Sequence, residues 1–215
     1  MVETHDRASL LFLYICGMKI LVCDNIDQLG EDFIAKCKEI MPEWRKEQML
    51  KIKHLKGRVQ CALGWLMVKP NDNWVYNEHG KPYFEGRKDL FFSISHCASA
   101  VAVVIDDVEV GIDIEEVSRY KERLVDYVAN DEEKSIIGNA EDFIELWTKK
   151  EAVFKMLGTG ITHDIKDVLK NNRDVNVYSK KIGEKYLSVA TKKMKTCEDI
   201  GVEMVKIEEL IRLFG

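Results

Sequence analysis

Two carboxylates set two residues apart in a run of strand-forming residues are the first candidates for chemistry in this chain. In Glu109-Val-Gly-Ile-Asp-Ile-Glu115, alternate side chains of a strand share a face. Val110, Ile112 and Ile114 therefore turn toward a core, and Gly111, Asp113 and Glu115 turn the other way. Two acids beside a glycine that admits a close neighbour are either half of a hard-cation site or the polar face of an edge strand. Residues 141–157 supply further candidates. At about 100° per residue, Phe143, Leu146, Trp147, Val153, Phe154 and Leu157 form one apolar stripe of a helix. Glu151 and Lys155 are four positions apart and lie on the same flank of that helix. Lys150 falls inside the stripe, where its charge is costly unless it snorkels to water or meets a partner. A third run, Phe91-Phe-Ser-Ile-Ser-His96, ends in two hydroxyls and an imidazole. No G-x-S-x-G elbow surrounds Ser93 or Ser95, so a hydrolase triad has little support. His5, His54, His79 and His163 show no ligand spacing to His96, which argues against zinc.

The elements that must carry these groups follow from periodicity. Lys19–Cys23 reads as a first strand, Asp27–Ile40 as a helix, and Trp44–Val68 as a second, basic helix after Pro42. In the latter, Val59, Ala62, Leu63, Leu66 and Met67 form a core-facing stripe. Its first part carries Arg45, Lys46, Lys51, Lys53, Lys56 and Arg58, opposed only by Glu47. The Asn-, Gly- and Pro-containing stretch 70–88 reads as a loop. Phe91–Ile94, Ala100–Ile105 and Glu109–Glu115 read as strands. Lys121–Gly158 is helical in period and closes on a glycine suited to a helix C-terminus. Val175–Tyr178 and Tyr186–Ala190 alternate again, and Ile207–Phe214 is a short closing helix. A strand–helix–strands order thus occurs twice, which predicts two similar α+β halves packed together.

Composition bounds the class. At about 150 residues per domain, 215 residues make one large or two small domains. With 46% hydrophobic and 32% charged residues and only three prolines, the chain can bury a core and is neither disordered nor collagen-like. Its net charge of −5 excludes a general nucleic-acid coat, which needs an excess of cations. Six scattered cysteines without a C-x-x-C pair fit reduced thiols in a cytoplasm better than a disulfide framework. Ala8–Cys16 is apolar but too short to span a membrane, and Glu3 and Asp6 make it a poor signal peptide. Residues 1–17 read either as an upstream extension or as an ordinary extra element.

Taken together, Gly111-Ile-Asp-Ile-Glu115 and Trp147-Thr-Lys-Lys-Glu-Ala-Val-Phe-Lys155 resemble the paired signature of the 4′-phosphopantetheinyl transferases. The nearest branch is the two-half, Sfp-type (surfactin-synthetase-activating) one. Gly80-Lys-Pro82 and Ser93-Ile-Ser-His96 are similar to two upstream motifs of that family, in the same order, and Glu203–Leu210 to its closing strand and helix. The resemblance implies an α+β fold of two similar halves, 18–107 and 108–215, packed with pseudo-two-fold symmetry and the active site between them. It implies Mg²⁺ on Asp113, Glu115 and Glu151, and Lys155 near the scissile pyrophosphate. His96 would meet a coenzyme A phosphate, Arg58 the 3′-phosphate, and Lys81, Ser95 and Lys150 the rest of coenzyme A.

The reaction so implied moves the phosphopantetheine arm from coenzyme A to a serine of an apo acyl or peptidyl carrier protein, with Glu151 or a metal-bound water as base. The competing readings are a Mg²⁺-dependent phosphodiesterase acting on coenzyme A-like pyrophosphates and a non-catalytic coenzyme A or carrier-protein binder. A monomer acting in fatty acid, polyketide or peptide synthesis, with no nucleic acid or membrane partner, completes the expectation.

Overall fold

The computed structural model describes residues 17–68, 73–194 and 200–214. The apolar segment Ala8–Cys16 lies outside them, and no helix among the described residues is long and apolar enough to cross a membrane. Strand β1 (Lys19–Cys23) leads into helices α1 (Glu31–Ile40), α2 (Glu43–Leu50) and α3 (Leu55–Val68). The single helix expected over 44–68 is therefore two, broken at 51–54. The break is held by Arg58, whose Nε donates to the Ile52 carbonyl at 2.8 Å, and by the Ile52 side chain lying against Gly57. The stretch expected as a loop contains a small hairpin, β2 (Trp74–Tyr76) paired with β3 (Pro82–Phe84).

Strands β4 (Phe91–His96) and β5 (Val101–Asp106) then form a hairpin, and β5 pairs antiparallel with β1. Strand β6 (Val110–Glu116) opens a second sheet. Between it and the next long helix, the period read as helical over 121–158 breaks into short turns, including α4 (Val125–Val128) and α5 (Asp131–Lys134). Helix α6 (Ala140–Leu157) follows, then α7 (Val168–Asn171) and the hairpin β7 (Asn176–Ile182) and β8 (Lys185–Thr191). The second sheet has the order β6-β8-β7. In each sheet the strand that precedes the long helix pairs with the second strand of the next hairpin, β1 with β5 and β6 with β8.

The last described segment returns to the first sheet. Strand β9 (Val202–Met204) pairs in parallel with β1, and α8 (Ile207–Phe214) packs against α1 and α3. Residues 202–214 thus pack with the elements of 18–107, although the division at residue 107 groups them with the second half.

Period-two alternation gives the first sheet two apolar faces and the second sheet one apolar face and one mixed. Cys23, Val101, Val103 and Ile105 face the first helices, where Phe33, Ile34, Leu63 and Leu66 meet them. Ile20, Val22, Ala102 and Val104 face the other sheet and meet Val110, Ile112, Ile114, Leu187 and Val189. Helix α6 covers the far side with Phe143, Ile144, Val153, Phe154 and Met156. The result is an α+β stack of helices, sheet, sheet and helix.

Helix α6 is well bounded. Asn139 caps its N-terminus by accepting from the Asp142 amide, and Glu141 and Asp142 complement the positive end. At the other end Gly158 takes the left-handed conformation, φ 70°. Its burial differs from the single stripe expected: Leu157 is exposed and Trp147 half-buried, whereas Thr148 and Ala152, outside that stripe, are buried.

The glycine expected to admit a close neighbour does so. A Cβ on Gly111 would lie 2.1 Å from the Ala152 carbonyl oxygen and 2.3 Å from the Met156 nitrogen. Both are backbone atoms, so no rotamer change relieves the clash. Gly111→Ala is expected to destabilise by about 3 kcal/mol, the upper end of overpacking costs. That corresponds to a melting temperature lowered by roughly 6–12 °C, measured by thermal unfolding. An unchanged melting temperature would show that α6 can lift off β6 freely.

Candidate active site

Because Gly111 lets α6 lie directly on β6, Glu151 and Lys155 meet the face that carries Asp113 and Glu115. This is not an open polar face: Asp113 is only 4% exposed. Strand β4 closes the site from the other sheet. It borders β6 without a backbone ladder, and its serines bridge instead. Ser93 Oγ accepts from the Ile112 amide and Ser95 Oγ from the Ile114 amide, each at 3.2 Å. Ser95 Oγ also donates to Asp113 Oδ1 at 2.7 Å. Lys155 Nζ donates to the same Asp113 Oδ1 at 2.6 Å and to Ser95 Oγ at 2.7 Å. One donor and two acceptor positions exhaust a hydroxyl. Ser95 is buried with its hydroxyl fully used, so it orients Asp113 and Lys155.

The electrostatics are those of crowded acids. Burial first, then the charge of Asp113, raises both Glu115 and Glu151 to a pKa of about 7, with Lys155 opposing in each case. Arg119 Nε, 3.6 Å from Glu115, offsets part of the effect there. Asp113 Oδ2 is buried and has no hydrogen-bond partner. Among the described residues no group of three or more His, Cys, Asp or Glu side chains is placed to hold a metal ion as it stands. The donor chemistry nevertheless suits a hard cation, since an orphaned carboxylate oxygen and two acids short of positive charge are all oxygen ligands.

Beside these groups lies a cleft of about 270 Å³. Lys81, Ser93 and Ile94 line it from the first sheet's side, and Glu151, Phe154 and Lys155 from α6. His96 stands at the exposed end of β4. Partial desolvation, then the Lys155 and Lys56 cations, lower its imidazole below the ordinary histidine range, with Asp113 opposing. Lys81 is half-buried, and its Nζ donates to the Met156 carbonyl at 2.5 Å. Burial lowers its pKa, Glu109 opposing. Arg58 is not brought to the cleft; besides its bond to Ile52, its guanidinium faces Glu31 at 3.9 Å.

Lys150 is not brought to the cleft either. Its side chain is 0% exposed, and Nζ donates to Glu133 Oε2 at 2.6 Å and to the carbonyls of Val128, Ile165 and Lys166. Burial lowers its pKa and Glu133 opposes this. The partner that its place in the apolar stripe demanded is internal, and the lysine fastens two loops to α6. Lys150→Met should destabilise by about 3 kcal/mol, the lower end for breaking a buried pair, because Glu133 keeps the Asn130 amide as a donor. A raised KM for coenzyme A with an unchanged melting temperature would return Lys150 to the cleft.

The geometry thus defines an acid-and-lysine site at a cleft between two sheets, suited to handling a charged phosphate group. Residues 109–204, which span β6 to β9, match the model of the 4′-phosphopantetheinyl transferase superfamily. The chain is 24% identical over 200 residues to the 4′-phosphopantetheinyl transferase gsp of Aneurinibacillus migulanus, covering 79% of this chain and 84% of that one. It is 34% identical over 114 residues to the 4′-phosphopantetheinyl transferase AcpT of Salmonella typhi, covering 48% and 57%. With psf-1 of Bacillus pumilus the identity is 30% over 93 residues, or 40% of each chain. Over its second half and in these relatives, the chain is thus similar to proteins of the 4′-phosphopantetheinyl transferase superfamily.

Proposed function

We propose that this enzyme transfers the 4′-phosphopantetheine group of coenzyme A to a serine hydroxyl of an apo acyl or peptidyl carrier protein and releases adenosine 3′,5′-bisphosphate. The observation that carries the reading is the convergence of Asp113, Ser95 and Lys155 beside a cleft lined by Glu151, in a chain similar to this superfamily. The serine oxygen forms a bond to the phosphorus that bears the pantetheine arm, and the bridging P–O bond to the adenosine phosphate breaks. Negative charge grows on the departing phosphate, so catalysis is mainly positional and electrostatic.

Lys155 directs its ammonium to that charge. Its bonds to Asp113 and Ser95 hold it in place and leave a third donor for the phosphate. Glu151 lies at the cleft wall as the acceptor of the serine proton. Asp113, Glu115 and Glu151 would hold Mg²⁺, which when bound neutralises charge on the pyrophosphate oxygens. His96 and Lys81 would steady the coenzyme A phosphates, and the two packed sheets would correspond to the family's halves related by pseudo-two-fold symmetry.

The test is the intact mass of an apo carrier protein after incubation with the enzyme, coenzyme A and Mg²⁺. A gain of one phosphopantetheine is expected. Free phosphopantetheine with no gain would make the enzyme a phosphodiesterase, and an unchanged carrier and coenzyme A across several carriers would remove both readings.

A further inference from the structure

The hairpin β2–β3 belongs to the first sheet's side of the molecule, yet its turn is fastened to the end of α6. Asn77 is the knot. Its backbone amide donates to the Lys81 carbonyl at 3.0 Å, and its carbonyl accepts from the Gly80 amide at 3.0 Å. Its side-chain Oδ1 accepts from the amides of His79 at 3.0 Å and Lys81 at 2.8 Å. That leaves Nδ2, which donates to the carbonyl of Gly158 at 2.8 Å across 81 positions of sequence. The last carbonyls of a helix lack intrahelical donors and need partners from elsewhere. Here Asn77 supplies one to Gly158 and Lys81 supplies another to Met156. The packing is close: a Cβ on Gly158 would lie 2.9 Å from Lys81 Cδ and 3.0 Å from Asn77 Nδ2. Gly80, Lys81, Gly158 and Gly160 all line the cleft, so these bonds join its two walls.

We infer that Asn77 is a positioning residue that fixes the separation of the cleft walls, and with it how tightly the cleft holds coenzyme A. The inference rests on the proposed transfer reaction for its ligand, but the clamp itself is a property of the fold. The residue acts through two opposite functions of one amide. Its oxygen organises the turn, and its nitrogen ties the turn to α6. Asn77→Asp keeps the oxygen acceptors and removes the donor, whereas Asn77→Ala removes both. Because Lys155 keeps its bonds to Asp113 and Ser95, the effect should fall on binding of coenzyme A rather than on the chemical step.

The experiment compares the two variants with the unaltered enzyme in steady-state transfer and in amide hydrogen exchange. Both variants should raise KM for coenzyme A about tenfold, equivalent to the loss of one hydrogen bond of ~1.4 kcal/mol, with kcat little changed. Amides at 158–161 should exchange faster in both, while the interior of α6 stays protected. If Asn77→Asp matched the unaltered enzyme in KM and only Asn77→Ala were impaired, Asn77 would serve the turn alone and the inference would fall. If the unaltered enzyme transferred nothing, the functional reading would fail separately. The exchange arm would then decide: faster exchange at 158–161 in Asn77→Asp upholds the clamp, and unchanged exchange overturns it.

Discussion

Asp113→Asn is expected to lower transfer by roughly 1000-fold or more, about 4 kcal/mol of barrier, while the protein still folds. The asparagine oxygen can still accept from Ser95 and Lys155, so the hydrogen-bond frame persists. What disappears is the negative charge and with it a proposed cation ligand. Burial of this residue alone gives no reason to expect an intact fold; relief of repulsion among the acids does. Glu115 and Glu151 are held at about 7, partly by the charge of Asp113.

The sign of the accompanying pH effect follows. An acid whose folded pKa is raised keeps its proton in the folded state after the unfolded chain has lost it. Stability therefore falls as pH rises from the ordinary glutamate value to about 7. Removing the Asp113 charge lowers both folded pKa values and shrinks that loss. In metal-free protein the melting temperature of Asp113→Asn relative to the unaltered enzyme should climb between pH 5 and pH 8. Near-native transfer in Mg²⁺ would remove Asp113 from the site, and a pH-independent difference would show that the three acids are not coupled.

What was legible in the sequence was what local period and local spacing encode. The face shared by Gly111, Asp113 and Glu115 needs only the alternation of a strand, and the flank shared by Glu151 and Lys155 only the pitch of a helix. The first strand, the closing helix and the C-terminal glycine of α6 are equally local. What escaped depends on contacts between distant segments. Strands β2 and β3 have three residues each, too short for a periodic signal, and sit among turn residues. Without that hairpin the clamp at Asn77 is invisible, although an Asn three positions before Gly80 hints at a tight turn. Lys150 announced its need for a partner but not who would answer, because three of its four acceptors are backbone carbonyls. The full use of the Ser95 hydroxyl is not legible, because nothing local shows that β4 borders β6 through side chains instead of a ladder.

Lys155→Ala should lower kcat by roughly 100- to 1000-fold, about 2.7–4 kcal/mol, the usual effect of losing one preorganised donor aimed at developing charge. KM for coenzyme A should rise far less, because the interaction strengthens as the phosphate departs. The geometry explains why Lys155→Arg should rescue only in part. The ammonium is a compact point held 2.6 Å from Asp113 Oδ1 and 2.7 Å from Ser95 Oγ, and a larger planar guanidinium cannot place its charge at that same point. An equal rise in KM with kcat unchanged would make Lys155 a binding residue. A second readout separates it from Asp113 by sign. Lys155 lowers the pKa of both Glu115 and Glu151, whereas Asp113 raises both. In metal-free protein, carboxyl-carbon NMR titration should show the two glutamates moving above about 7 in Lys155→Ala and below it in Asp113→Asn. Two substitutions that each abolish most transfer would thus shift the same pair of acids in opposite directions, which a general disruption of the site would not do.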